Sequence, residues 1–210
     1  MKNYVITIAR GFGSGGKEIA QKLSDKLGIP WYERQILTMA SEQSGISEAI
    51  FAENDEKLKG KKLASLLHTM PSQYIVDATS PRFVSSDNLF NIQSELIRTL
   101  AKTESCIIVG KCANMVLKDE KNVLSVYIEA PRSACVDSVM NKLGVKEEEA
   151  HKLISETDKY RYNYYKYYTR GKDWRDPVAY DVTLNSARVG RDRCVEVICN
   201  MLEIKFGVKE

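Results

Sequence analysis

The chain has 210 residues, 43% of them hydrophobic, enough to bury one substantial core with smaller appendages. Its 31 basic and 28 acidic residues leave a net charge of +3, too weak a field to argue for DNA or an anionic membrane surface as a partner. No segment approaches the length of a membrane span, no apolar leader precedes a small-residue cleavage site, and the five cysteines lack paired short spacings, so a reduced, cytoplasmic protein is expected.

The first element is an apolar run from Tyr4 to Ala9 that reads as a strand. Gly11-Phe12-Gly13-Ser14-Gly15-Gly16-Lys17-Glu18 follows at once and matches a phosphate-binding loop at all but its last position. Polyphosphate needs many donors close together, and glycines let the backbone turn its N–H groups inward. Ile19, Ala20, Leu23 and Leu27 recur at helical spacing, so a helix starting near Gly15 points its open N–H groups at the bound anion. Gly11, Gly13, Ser14, Gly15, Gly16 and Lys17 are therefore the candidate donor-binding residues, with Lys17 reaching the β- and γ-phosphates. Glu18 stands where a Ser or Thr hydroxyl usually meets Mg²⁺.

Further strands are expected at Ile29 to Tyr32, Cys106 to Val109, Val123 to Ile128 and Val182 to Asn185, alternating with helical patterns as in an α/β fold with a parallel sheet. The third and fourth are nearly continuous apolar runs, which predicts that they form the centre of the sheet. Residues 33–105 are too long for a simple crossover and read as an inserted set of helices, broken by the polar segment Glu53 to Lys62 and a loop from Ser80 to Asn88. Within it Tyr74-Ile75-Val76-Asp77 imitates a strand ending in a metal-binding aspartate, but Pro71 and Pro81 flank it and a structural turn is expected. His68 and His151 have no metal-ligand partners at useful spacing.

From Asp158 to Asp181, Lys159, Arg161, Lys166, Arg170, Lys172 and Arg175 interleave with tyrosines and Trp174. Three readings stay open at this point: a stacking surface for single-stranded nucleic acid, a lid whose Lys159 and Arg161 stabilise a phosphoryl group in flight, or a solvated helix whose tyrosines pack on a neighbour.

These blocks together carry a resemblance. Ile8 to Ala20, then Leu27-Gly28-Ile29-Pro30-Trp31-Tyr32-Glu33-Arg34, Ile107-Ile108-Val109-Gly110-Lys111-Cys112-Ala113, Tyr127-Ile128-Glu129-Ala130-Pro131, and the segment from Asp158 to Ser186 resemble, in order, the cytidylate kinase-like family of P-loop kinases. The resemblance implies one P-loop kinase domain over residues 1–210. It would hold a five-stranded parallel sheet with helices on both faces, a helical acceptor-binding insertion at 33–105, and a lid at about 145–178. It also makes Glu18 a family trait, open to Mg²⁺ or to pairing with a lid cation. ATP and Mg²⁺ are the implied cofactors, and a small nucleotide, most readily CMP or dCMP, the implied acceptor. No nucleic acid or membrane partner is expected.

Lys17, Arg161 and Lys159 are the catalytic candidates. Arg34 and Lys111 follow strands at the carboxyl edge of the sheet, where α/β folds gather ligands, and are candidates for acceptor phosphate, with Tyr32 beside them. Lys111 stands where the family has Arg, and Glu33 where it has Asp. A nucleotide-binding regulator with the same fold, or a kinase for another metabolite, is the alternative.

Overall fold

The computed structural model describes residues 3–55 and 73–208. His68, Pro71 and most of the polar segment from Glu53 to Lys62 lie outside the described residues. In chain order the elements are β1 (Val5–Arg10), α1 (Gly16–Leu27), β2 (Trp31–Tyr32), α2 (Gln35–Ser44), α3 (Glu48–Asn54), α4 (Ser86–Thr103) and β3 (Cys106–Val109). There follow α5 (Ala113–Val116), β4 (Val123–Glu129), α6 (Arg132–Leu143), α7 (Glu147–Tyr168), β5 (Val182–Asn185), α8 (Ser186–Val189) and α9 (Arg191–Phe206).

The strands form one parallel sheet in the order β2-β3-β1-β4-β5. The centre is β1, not β3 and β4 as their apolar runs suggested; those two flank it, with Val5 opposite Cys106 on one side and Val123 on the other. Continuous hydrophobicity marks a strand covered on both faces, and three adjacent strands share it, so composition cannot rank them.

Period-two alternation sorts the side chains between two cores. Val5, Cys106, Ile108 and Val123 face a cluster with Ile36, Phe51, Leu89 and Ile97 from α2, α3 and α4. Ile6, Ile8, Ile107, Val109, Val126 and Ile128 face the other way, against Ile19 and Leu23 of α1 and Cys194 and Ile198 of α9. The sheet thus carries helices on both faces, and its carboxyl edge, where the loops leaving the parallel strands gather, is the place such folds use for ligands.

Where described, the insertion holds the helices α2, α3 and α4 and a non-helical stretch over residues 73–85. Asp77 ends no strand: its Oδ1 accepts the Thr79 amide at 2.8 Å in a short turn. Among the described residues no helix is long and apolar enough to cross a membrane. All five cysteines are buried.

The 22-residue α7 opens on Glu147, Glu148 and Glu149, a placement that suits the positive end of the helix dipole. Its far end is docked, not free. Tyr164, Tyr165 and Tyr167 are buried with Trp174, Tyr127 and Tyr180, the Tyr168 ring stacks on Phe90 of α4 at 3.8 Å between centroids, and Tyr167 donates to Asp87 at 3.0 Å. Of the three readings of this segment, the packing one describes Tyr164, Tyr165, Tyr167 and Tyr180, while Tyr160 and Tyr162 are only half-buried.

Candidate active site

β1 leaves the sheet at Arg10, and the loop of residues 11–15 turns back into α1 beneath the sheet's carboxyl edge. Gly13 and Gly15 sit at φ 88° and 86°, the left-handed region that glycine enters without penalty. Each loop glycine is also packed from outside. A Cβ on Gly11 would lie 2.2 Å from Glu129 Oε1, and one on Gly13 2.6 Å from the Cys135 carbonyl oxygen. The amides of Gly16, Lys17 and Glu18 occupy the first turn of α1, where no intrahelical acceptor exists. That arrangement is an anion cradle.

Ser14 does not join it through its side chain. Its hydroxyl is 1% exposed and donates to the carbonyls of Gly11 at 2.9 Å and Ile128 at 3.1 Å, tying the loop to β4. A short hydroxyl in a left-handed glycine loop finds backbone acceptors before it finds solvent. Its own carbonyl is held by Ser186 at 2.5 Å.

Two clefts open around the loop. The first, about 660 Å³, is lined by Gly11, Gly13, Gly15, Gly16, Lys17 and Glu18, with Ser138, Lys142 and Arg191 opposite. The second, about 580 Å³, is lined by Arg34, Asp55, Lys111, Glu156, Thr157 and Tyr160. Arg10, Glu33 and Arg161 line both. A third and larger cleft, about 770 Å³, lies between α4, α5 and the end of α7 and contains no loop residue. Volume alone would mislead here.

At the junction the charges are organised. Arg161 of α7, its side chain only 13% exposed, donates to the Arg10 carbonyl at 3.4 Å, lies 3.8 Å from Asp158, and covers the Phe12 ring at 5.7 Å. Asp158 accepts the Phe12 amide at 2.8 Å, so α7 is pinned directly to the loop. Burial raises the Asp158 carboxyl above its ordinary range, against the opposing pull of the Phe12 amide and Arg161. Glu129, at the end of β4, accepts the Tyr127 hydroxyl at 2.6 Å and the Ala130 amide at 3.0 Å beneath Gly11.

Lys17 projects into the first cleft, its ammonium 3.0 Å from Glu33 and 5.5 Å from the centre of the Trp31 ring. Glu18 pairs with Arg191 and, at 3.4 Å, with Lys22. Its cationic partners therefore come from α9 and from its own helix, and not from the basic segment of α7. Arg191 also donates to Ser138 at 2.9 Å and so bridges α1, α6 and α9 across the mouth of the loop.

In the second cleft Lys111 is 2% exposed, holds a left-handed backbone at φ 58°, and pairs with Asp55. Arg34 is exposed, 3.7 Å from Glu48. Two expected residues are elsewhere. Lys159 is exposed and lines neither cleft, because a position two residues from Arg161 on a helix points to another face. Tyr32 lines neither cleft either; its hydroxyl donates to Glu104 at 2.9 Å, and burial, then that carboxylate, pushes its phenol up to about 12. Asp181 and Asn185 are structural: Asp181 takes the Ser125 amide at 2.7 Å and pairs with Lys205 at 2.7 Å, and Asn185 caps α8 by accepting the Arg188 amide at 3.1 Å.

Sequence reasoning passed over Arg10, Asp55 and Arg191. A charged residue ending an apolar strand directly before the glycine loop was a usable signal for Arg10. No such signal exists for Arg191, which is 173 positions from Glu18.

A glycine-rich loop after the central strand of a parallel sheet, a helix opening on that loop, and two clefts meeting beside its lysine define the P-loop kinase fold. The family model of the cytidylate kinase-like family matches residues 5–188, and the chain belongs to that family. Its fold is similar to that of an uncharacterized protein from Eubacterium ventriosum ATCC 27560, with 25% identity and TM-score 0.70 over 96% of this chain and 99% of that one. Shikimate kinase from Bacteroides thetaiotaomicron is similar at 13% identity and TM-score 0.53, over 95% and 98% of the two chains. A sugar kinase from Janibacter sp. HTCC2649 is similar at 14% and 0.50, over 96% and 95%. These last two likenesses concern the fold alone. No curated protein matches the chain in sequence.

Proposed function

We propose that the protein transfers the γ-phosphoryl group of ATP to the phosphate of a small acceptor, with a pyrimidine nucleoside monophosphate, CMP or dCMP, as the leading one. The observation that carries the reading is the sharing of Arg10, Glu33 and Arg161 between the loop cleft and its neighbour. Donor and acceptor held in the two clefts would meet where the cationic side chains concentrate.

In the reaction the bond between the γ-phosphorus and its β-bridging oxygen breaks, a new bond forms to an acceptor phosphate oxygen, and ADP leaves. The acceptor phosphate is already ionised near neutral pH, so the step needs positioning and charge neutralisation more than a general base. The loop amides and Lys17 hold the donor. Arg161, braced by Asp158 and the Phe12 ring, neutralises charge at the junction. Lys111 and Arg34 face the acceptor.

Mg²⁺ supplied with ATP would neutralise the polyphosphate. The residues present fit a metal that arrives on its nucleotide: among the described residues no three acidic, His or Cys side chains converge, and Mg²⁺ on polyphosphate takes one or two carboxylates at most. Glu18 is the candidate, once released by Arg191.

The buried Lys111–Asp55 pair favours a second reading. An acceptor phosphate has to compete with Asp55 for that lysine, so a different acceptor, or nucleotide binding without efficient transfer, is the rival. Incubation with ATP, Mg²⁺ and a panel of monophosphates separates them: ADP formed only with CMP or dCMP supports the first reading, and nucleotide binding without acceptor-dependent ADP supports the regulator. Lys17→Ala is expected to lower kcat/KM roughly 100-fold, as loss of a charge-stabilising contact does.

A further inference from the structure

The two oxygens of the Glu33 carboxylate engage different cations: Oε1 lies 3.0 Å from Arg10 Nη2, and Oε2 lies 3.0 Å from Lys17 Nζ. These three residues come from the end of β1, the start of α1 and the residue after β2, and both clefts open onto Arg10 and Glu33. Lys17 is the side chain that the phosphotransferase reading assigns to donor phosphate, so a carboxylate occupies the position an anionic substrate would take.

We propose that Glu33 is an internal stand-in for substrate phosphate, holding Lys17 on the donor side and Arg10 at the junction of the two clefts until phosphate displaces it from Lys17. The proposal rests on the phosphotransferase reading and adds a positioning residue to it. The two arms of the bridge differ in strength. Lys17 is 56% exposed, and an exposed ion pair is weak and screened by salt. Arg10 is 8% exposed, and taking a carboxylate away from a buried charge is costly. Donor phosphate therefore takes Lys17, while Glu33 stays with Arg10 and fixes the guanidinium against the acceptor cleft. In the absence of donor, the same bridge offsets the repulsion between two like charges, Lys17 and Arg10, held close together.

Length matters as well as charge. Glu33 spans both cations with a carboxylate that stands one methylene farther from the backbone than that of an aspartate. Glu33→Asp keeps the anion one methylene closer to the backbone and is expected to lose the exposed Lys17 contact, so it separates the bridging function from the charge.

The test measures binding of metal-free ATP by calorimetry and turnover with Mg·ATP and the monophosphate panel, for the wild type, Glu33→Gln and Glu33→Asp, with thermal melting as the check on folding. Removing the competing carboxylate is expected to tighten ATP binding in Glu33→Gln by about two- to fivefold, the equivalent of one exposed pair. The gain should shrink at high salt. Turnover should fall at least tenfold because Arg10 loses its anchor, and Glu33→Asp should recover part of it. Opposite movements of affinity and turnover are not what simple loss of structure produces.

Unchanged or weaker ATP binding by Glu33→Gln, with measurable binding by the wild type, overturns the proposal and leaves the phosphotransferase reading standing. Tighter binding by Glu33→Gln with no wild-type turnover on any acceptor keeps the stand-in and overturns the transfer reading. Failure of both the wild type and Glu33→Gln to bind ATP overturns both. If Glu33→Gln does not fold, Glu33→Asp decides by the same binding comparison: equal or weaker ATP affinity than wild type overturns the proposal.

Discussion

Asp158 shows how one side chain serves two elements. Its carboxylate accepts the Phe12 amide and braces Arg161, and burial holds its carboxyl above the ordinary aspartate range. An acid raised in the folded state binds more protons there than in the unfolded chain over the interval between the two values, so its contribution to stability falls as pH rises through that interval. Asp158→Asn retains an oxygen for the Phe12 amide and removes the charge. At pH 7 the variant is expected to be as stable as wild type or more so, within about 1 kcal/mol, and the two melting curves should converge on acidification. A loss above about 2 kcal/mol at pH 7 would mean that the charge itself holds α7 to the loop. At this scale the loop was legible because its residue types answer to backbone geometry that glycine alone tolerates. The Arg191 partner of Glu18 was not, because an ion pair between α1 and α9 leaves no trace in either local sequence.

Among the elements, α7 gained most from the structure. Its tyrosines at 164, 165, 167 and 168 announced an aromatic surface without saying what it met; the neighbour proved to be α4 and the β4 strand, through Phe90, Asp87 and Tyr127. Docking at that end leaves Asp158 and Arg161 near the middle of the helix, over the glycine loop. Phe90→Ala should therefore cost roughly 2–3 kcal/mol in urea unfolding, from lost apolar burial and the stacked ring, and should loosen the helix that carries Arg161. Unchanged stability would show that α7 is held by its loop contacts alone. The element boundaries themselves were well marked. Gly28, Gly45 and Gly144 end α1, α2 and α6 in left-handed conformations, each with its amide bonded back into the helix, at 2.9 Å, 2.9 Å and 2.8 Å.

Over the whole molecule, the two cores are halves of one structure because β1, β3 and β4 place alternate side chains in each. Neither half can lose its packing without exposing the other face of the same strands. A single calorimetric transition is expected, with van't Hoff and measured enthalpies equal, and saturating ATP should raise it by mass action, by about 2.7 kcal/mol at one hundred times Kd. Two separable transitions would show that the insertion folds on its own. What the sequence determined by itself were the features with local physical causes: the glycine loop, the strand and helix periods, the helix ends, and the ordered motifs of the family. What tertiary structure decided were the strand order, with β1 at the centre, and the company each charge keeps. Arg10, Lys17 and Glu33 meet because three strand and helix ends converge on one edge of the sheet, and Lys159 misses the cleft because a helix turns 100° per residue. Electrostatic partners are chosen by distance in space, and that distance has no counterpart along the chain.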